Sequence, residues 1–177
     1  MNKIELIKLL KECKAIQFGK FKLTSGAISE YYIDIKKAST NPFILKKITN
    51  LISNLSKDYE LIAGMELGAV PLIVALSLET NIPYVIIRKT KRNHGTSKQI
   101  EGSNVKDKKV LIIEDVTTSG GSVIDTINIL KNEGAILDKI IVVVDRESGA
   151  REKIEELKLT FKPLLTISDI INKKSLN

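Results

Sequence analysis

Short, continuously apolar runs rich in Val and Ile punctuate this chain at residues 61–63, 84–87, 110–113 and 140–144. Runs of that length, apolar at every position rather than at every second one, suit strands buried on both faces. Each run leads into a loop, and three of those loops lead into helical stretches at 71–78, from about Ser122 to Leu130, and at 150–157. The run at 84–87 opens instead into a basic loop. Repetition of strand, loop and helix predicts an α/β fold with a mostly parallel sheet and helices on both faces. In open sheets of this kind the ligand lies beyond the carboxyl ends of the strands, so the chemistry is sought there.

The first third reads differently. Residues 2–14 place Leu6, Leu9, Leu10 and Cys13 on one helical face, while 21–23 and 31–34 flank Thr24-Ser25-Gly26 as a hairpin. Asn41 before Pro42 is a cap and first-turn pair for a helix reaching about Leu55. No repeat or linker divides the chain, and 177 residues fit one domain, 1–177. Cys13 is the sole cysteine, which excludes an intramolecular disulfide and points to a small core residue in a reducing compartment. Lys3, Glu5 and Lys8 break the apolar character of the N-terminus, and the longest apolar stretch, 69–78, contains Pro71 and is too short to span a bilayer. A soluble, cytoplasmic protein is expected, with no membrane partner. The formal net charge of +7 suggests polyanionic partners, whether nucleic acid, a membrane surface or a phosphate-rich small molecule. Aromatic content of 5% without Trp disfavours a stacking platform for single strands.

The richest segment runs from Val110 through Glu114, Asp115, Val116, Thr117, Thr118, Ser119, Gly120, Gly121 and Ser122. An apolar strand ends in two carboxylates, a loop of hydroxyls and glycines follows, and a helix begins. Glycines let backbone N–H groups approach an anion, and the helix N-terminus adds unpaired donors and positive dipole. The segment is a cradle for one phosphate. It lacks the Gly-Lys-Ser/Thr of a triphosphate loop and the G-x-G-x-x-G spacing of a dinucleotide site. Paired acids beside a phosphate cradle make sense when the same ligand carries hydroxyls, as ribose does, or brings a divalent metal. The plain alternative is a strand–turn–helix joint with a capping serine.

This segment resembles the phosphoribosyl pyrophosphate signature of the type I phosphoribosyltransferases. The resemblance implies that Glu114 and Asp115 contact ribose hydroxyls and that the loop from Val116 to Ser122 binds the 5-phosphate. It also implies that family's fold, a parallel sheet flanked by helices with a small N-terminal hood.

A second segment follows the strand at 84–87. It gathers Arg88, Lys89, Lys91, Arg92, His94, Gly95 and Lys98. Pyrophosphate is a dense anion, and cations placed to meet it as it leaves stabilise the transition state. A solvated basic loop is the competing reading on composition alone. The segment resembles the catalytic loop of the orotate phosphoribosyltransferases, which implies that Arg88, Lys89, Arg92 and His94 contact pyrophosphate. Position 92 is Arg where Lys is frequent, a change of fork geometry but not of charge. That loop reaches a neighbouring subunit in the family, so the resemblance implies a homodimer.

Two further segments bear on the base. Residues 145–150 read Asp-Arg-Glu-Ser-Gly-Ala. The guanidinium of Arg146, at a strand's carboxyl end, suits a planar carboxylate, the group that distinguishes orotate from uracil. A salt bridge of Arg146 to a nearby acid is the structural alternative. The segment is similar to the family's Asp-Arg-x-x-Gly-Ala pattern, which implies orotate binding by Arg146, with Thr118 the other position carried over to orotate. Residues 21–34 resemble the family's N-terminal hairpin over the base, with Thr24 where some members carry Lys; Tyr32 is a candidate to pack on the base edge, and a hairpin that simply covers the core is the alternative. Residues 64–71 look like the pyrophosphate-side loop but lack the Lys some members place there, so no side chain in that loop is assigned.

The resemblance extends from about Phe18 to Ile170. It implies transfer of ribose 5-phosphate from phosphoribosyl pyrophosphate to orotate, giving orotidine 5′-monophosphate and pyrophosphate, with Mg2+ bridging pyrophosphate and ribose oxygens. No protein ligand to the metal is assigned. Two rivals stand beside it. One is a different base, a purine or uracil, against which Arg146 argues. The other is a regulator that keeps the ligand fold and binds nucleic acid, which the net charge permits but the short stretch before Phe18 and the intact basic loop disfavour, so no nucleic-acid partner is expected.

Overall fold

The computed structural model describes residues 2–22, 28–90 and 99–172. The hairpin tip at Thr24-Ser25-Gly26 and, in the basic loop, Lys91, Arg92, His94, Gly95 and Lys98 lie outside the described residues.

Helix α1 (Lys3–Glu12) begins at Asn2, whose side chain accepts from the Glu5 amide while the Glu5 carboxylate accepts from the Asn2 amide. This reciprocal cap satisfies two orphan donors. Strands β1 (Ile16–Lys22) and β2 (Ile28–Ile33) pair antiparallel and form the hood. A five-residue helix, α2 (Ile35–Ser39), follows, then α3 (Pro42–Ser53). The expected cap holds: Asn41 accepts from the Phe43 and Ile44 amides at 3.0 and 3.2 Å, with Pro42 in the first turn.

The main sheet uses β3 (Leu61–Met65), β4 (Tyr84–Ile87), β5 (Ile100–Gly102), β6 (Val110–Thr117), β7 (Lys139–Asp145) and β8 (Thr160–Thr166), in the order β5-β4-β3-β6-β7-β8. All neighbours are parallel except β4 and β5. Helices α4 (Val70–Thr80), α5 (Gly121–Asn132), α6 (Ala150–Glu156) and α7 (Ile167–Asn172) complete the chain. The continuous apolar runs serve two cores at once. Leu111, Ile113, Ile141 and Val143 face one cluster with Leu6, Ile48 and Leu76 from α1, α3 and α4. Val110, Ile112, Ile140 and Val142 face the other, with Ile127 from α5 and Ile154 from α6. A strand covered on both sides has no polar face to alternate with.

Several elements exceed the sequence reading, β8, α2 and the end of β6 among them. Strand β8 contains Pro163, which argues against a central strand but is tolerated at an edge, and β8 pairs with β7 alone. Helix α2 is too short for a periodic signal. Strand β6 runs on through the acids to Thr117 rather than ending at Ile113, because β7 continues to pair with it as far as Asp145.

Candidate active site

The strand order reverses between β3 and β6. The chain leaves β3 toward β4 on one side and leaves β6 toward β7 on the other. Such a reversal opens a crevice at the carboxyl ends. A cleft of about 300 Å³ lies there, lined by Lys36, Met65 to Gly68, Glu114, Asp115, Val116 and Ser122.

The acid pair is built into the last turns of the β6 ladder. The Asp115 amide donates to Glu114 Oε1 at 3.0 Å, and the Val116 amide donates to Asp115 Oδ1 at 2.9 Å. Glu114 is 7% exposed. Burial, reinforced by hydrogen bonding and charge from Asp115, pushes its carboxyl well above the ordinary glutamate range. Glu114 therefore keeps its proton to higher pH than an exposed glutamate does, and while it is held the pair presents both a donor and an acceptor, which is what a diol needs. Asp115 rests on Gly68: a Cβ at that position would collide with the Asp115 carboxylate. This close approach explains a glycine in the loop after β3.

The expected phosphate cradle lies beside the pair. A cavity of about 200 Å³ is lined by Val116, Thr117, Thr118, Ser119, Gly120, Gly121, Ser122 and Val123. Gly120 caps α5 with φ +82°, a left-handed backbone that side-chain-bearing residues rarely adopt. Thr118, Ser119, Gly121 and Ser122 are exposed in the loop. Thr117 is not: it is buried, and its hydroxyl donates to Asp145 at 3.2 Å. Lys153 on α6 donates to the Ser119 carbonyl at 2.9 Å and ties the loop to the neighbouring helix.

The loop carrying Arg146 is laced to this cradle. The Arg146 amide donates to the Thr117 carbonyl at 2.9 Å. Asp145, 1% exposed, accepts from Thr117 and from the Glu147 amide at 3.0 Å. The Glu147 carboxylate in turn accepts from the amide and hydroxyl of Ser168 on α7. The Arg146 guanidinium lies 5.1 Å from the centroid of the Tyr31 ring, a cation–π arrangement. Its Nε is buried and makes no hydrogen bond among the described residues. Sequence reasoning looked to Tyr32 as the aromatic over the base. The pleat of β2 sends Tyr32 to the other face, where it is 42% exposed and packs on Phe21 at 5.6 Å between centroids. Tyr31 is the one beside Arg146.

Arg88 and Lys89 stand at the carboxyl end of β4, next to the loop that follows β3. The Lys89 amide donates to Glu66 Oε1 at 2.9 Å, and the Arg88 guanidinium pairs with Glu101 at 3.6 Å. Arg92 and His94 are outside the described residues. Glu66, Tyr31 and Lys36 thus join the site without having been singled out by sequence. The pleat rule alone could have raised Tyr31; nothing local marks Lys36, 78 positions before Glu114.

The chain matches the phosphoribosyl transferase domain family over residues 35–173. It is 52% identical over 172 residues to an orotate phosphoribosyltransferase of Pyrococcus abyssi, covering 95% of this chain and 94% of that one. It superposes on the crystal structure of orotate phosphoribosyltransferase from Aeropyrum pernix with a TM-score of 0.86 at 27% identity, over 97% and 99% of the two chains. The Mycobacterium tuberculosis H37Rv enzyme, crystallised with 5-phospho-α-D-ribosyl 1-diphosphate, is similar with a TM-score of 0.79 at 29% identity, over 95% and 98%.

Proposed function

The chain belongs to the orotate phosphoribosyltransferases, within the phosphoribosyl transferase domain family, and from that membership we propose how its residues divide the work. The reaction moves ribose 5-phosphate from phosphoribosyl pyrophosphate to orotate, giving orotidine 5′-monophosphate and pyrophosphate. The single observation that carries the assignment of roles is the lacing of two loops. The cradle and the Arg146 loop are joined through Thr117 by two hydrogen bonds, at 2.9 and 3.2 Å, so a phosphate site and a carboxylate-reading cation are held in one frame.

The 5-phosphate docks on the loop from Val116 to Ser122, against backbone amides at the start of α5 and the hydroxyls of Thr118, Ser119 and Ser122. The ribose diol meets Glu114 and Asp115, with the retained proton letting one carboxyl donate while the other accepts. Arg146, steadied by the Tyr31 ring, takes the orotate carboxylate, and Thr118 borders the base. Arg88 and Lys89, with Arg92 and His94 from the same loop, meet the pyrophosphate as it departs. The base nitrogen attacks C1 as the C1–O bond to pyrophosphate breaks. The residues position the two substrates and stabilise charge, and none serves as a covalent nucleophile.

Among the described residues no three His, Cys, Asp or Glu side chains cluster as a metal cage. A Mg2+ ion would arrive on the substrate's own oxygens, with no side chain of this chain assigned to it, and would supply charge neutralisation and a template. We place the enzyme in the cytoplasm as a homodimer; sedimentation equilibrium of the purified protein gives twice the 19.7 kDa chain mass if so. No helix among the described residues is long and apolar enough to cross a membrane.

The test is loss of orotate absorbance on mixing enzyme with phosphoribosyl pyrophosphate, with and without Mg2+, beside uracil and adenine. Turnover of orotate alone, dependent on Mg2+, supports the assignment. Arg146→Ala raises the orotate KM by about a hundredfold, the cost of one charged, partly buried contact. Turnover of another base with Arg146→Ala unaffected overturns the base assignment.

A further inference from the structure

The cleft between β3 and β6 is walled by acids. Glu66, Glu114 and Asp115 line it, and among its described lining residues Lys36 is the one cation. A dense polyanion approaching that wall meets repulsion, and the repulsion is strongest where water is excluded. Arg88 does not relieve it from its observed position, since its guanidinium is paired with Glu101 at 3.6 Å. Lys36 is placed to do so. Helix α2 is anchored by Ile35, Ala38 and Ser39, all buried, which leaves Lys36 exposed on the cleft side. Asp34 holds the ammonium at 3.0 Å and restricts where it goes. The same charge acts on Asp115 and Glu114 across the cleft.

We propose that Lys36 is a further substrate-binding residue, whose ammonium meets the phosphate oxygens of phosphoribosyl pyrophosphate nearest the acid pair and offsets the repulsion of the acidic wall. The proposal rests on the reading of the reaction given above. The contact is specific to one substrate, because Arg146 and Tyr31, assigned above to the base, do not line this cleft.

Lys36→Met and Lys36→Arg, each assayed for both substrates and for equilibrium binding of phosphoribosyl pyrophosphate at two ionic strengths, decide the matter. Lys36→Met weakens phosphoribosyl pyrophosphate by about tenfold, as loss of one charge-assisted contact does. It leaves the orotate KM within about twofold and flattens the salt dependence, since one fewer cation is screened. Lys36→Arg restores most of the affinity and the salt slope. Unchanged phosphoribosyl pyrophosphate affinity in Lys36→Met overturns the proposal. So does an equal loss for both substrates with a lowered thermal midpoint, which marks Lys36 as a structural partner of Asp34. The reading of the reaction fails separately, by absence of turnover in the unsubstituted enzyme, and the binding measurement still reports on Lys36 in that event.

Discussion

Glu114 shows how far one residue's chemistry depends on its surroundings. Its ordinary carboxyl value is 4.5, and burial with the neighbouring Asp115 raises it well above that in the folded protein. The native state therefore keeps a proton that the unfolded chain has released. Stability from this group is complete below 4.5 and is lost as pH rises through the raised native value. Glu114→Gln removes the titration while keeping the shape. Thermal midpoints measured across that interval fall with pH in the unsubstituted enzyme and fall less in the variant. Parallel profiles would mean that Glu114 titrates normally. Because the proposed site gives the same acid to the ribose, the variant is also expected to lose affinity for phosphoribosyl pyrophosphate, a cost separate from its stability.

At the scale of elements, the functional unit is the pair of adjoining ends of β6 and β7. Each strand end carries a loop with a different duty, and Asp145 with Thr117 holds the two in register. Asp145 is buried and its Oδ1 accepts from Thr117 and from the Glu147 amide. Removing a donor from a buried carboxylate leaves part of its desolvation unmet, at a cost of about 1–3 kcal/mol. Thr117→Val is thus expected to lower stability by that amount in urea titration and to weaken both substrates. Thr117→Ser, which keeps the hydroxyl, recovers most of each. A loss confined to phosphoribosyl pyrophosphate would show that Thr117 serves the phosphate directly and not the joint. The apolar run of β6 and the hydroxyl–glycine loop were plain in the sequence. The joint was not, because Thr117 reads as one more hydroxyl of the loop until β7 is laid beside it.

Across the whole molecule, the two ends of the sheet do different work. The carboxyl ends hold the cleft. The amino ends of β3, β6 and β7 hold a polar knot: the Tyr59 hydroxyl donates to Asp138 at 2.7 Å, Lys109 pairs with Asp138 at 3.0 Å, and the ammonium groups of Lys109 and Lys139 lie 4.9 and 5.6 Å from the Tyr59 ring centroid. Burial, with the Asp138 bond, drives the Tyr59 hydroxyl far above the ordinary tyrosine range, so it stays a donor at every working pH. Tyr59→Phe removes that donor while Lys109 still meets Asp138. Its stability falls by about 1 kcal/mol, or about 2–4 °C in thermal midpoint. Its kcat and both KM values stay as they were, since the knot is at the opposite end of the strands from the cleft. A change in kcat would reveal coupling through the sheet.

What the sequence alone determined was local or periodic. Val and Ile runs buried on both faces dictate a mostly parallel sheet. Asn41-Pro42 opens α3 from local capping chemistry alone. Acids, hydroxyls and glycines in unbroken order point to a sugar-phosphate site because one short loop carries all of the proposed chemistry. The tertiary structure decided whatever depends on distant segments meeting. It brought Lys36 from α2 to the acid pair, chose Tyr31 over Tyr32 for Arg146 by the pleat of β2, turned Thr117 from the cradle to Asp145, and admitted Pro163 to a strand because β8 is an edge. Burial and pairing are properties of neighbours in space, and a Glu114 carboxyl held above its ordinary range or a lysine set into an acidic cleft exists only once the chain has closed.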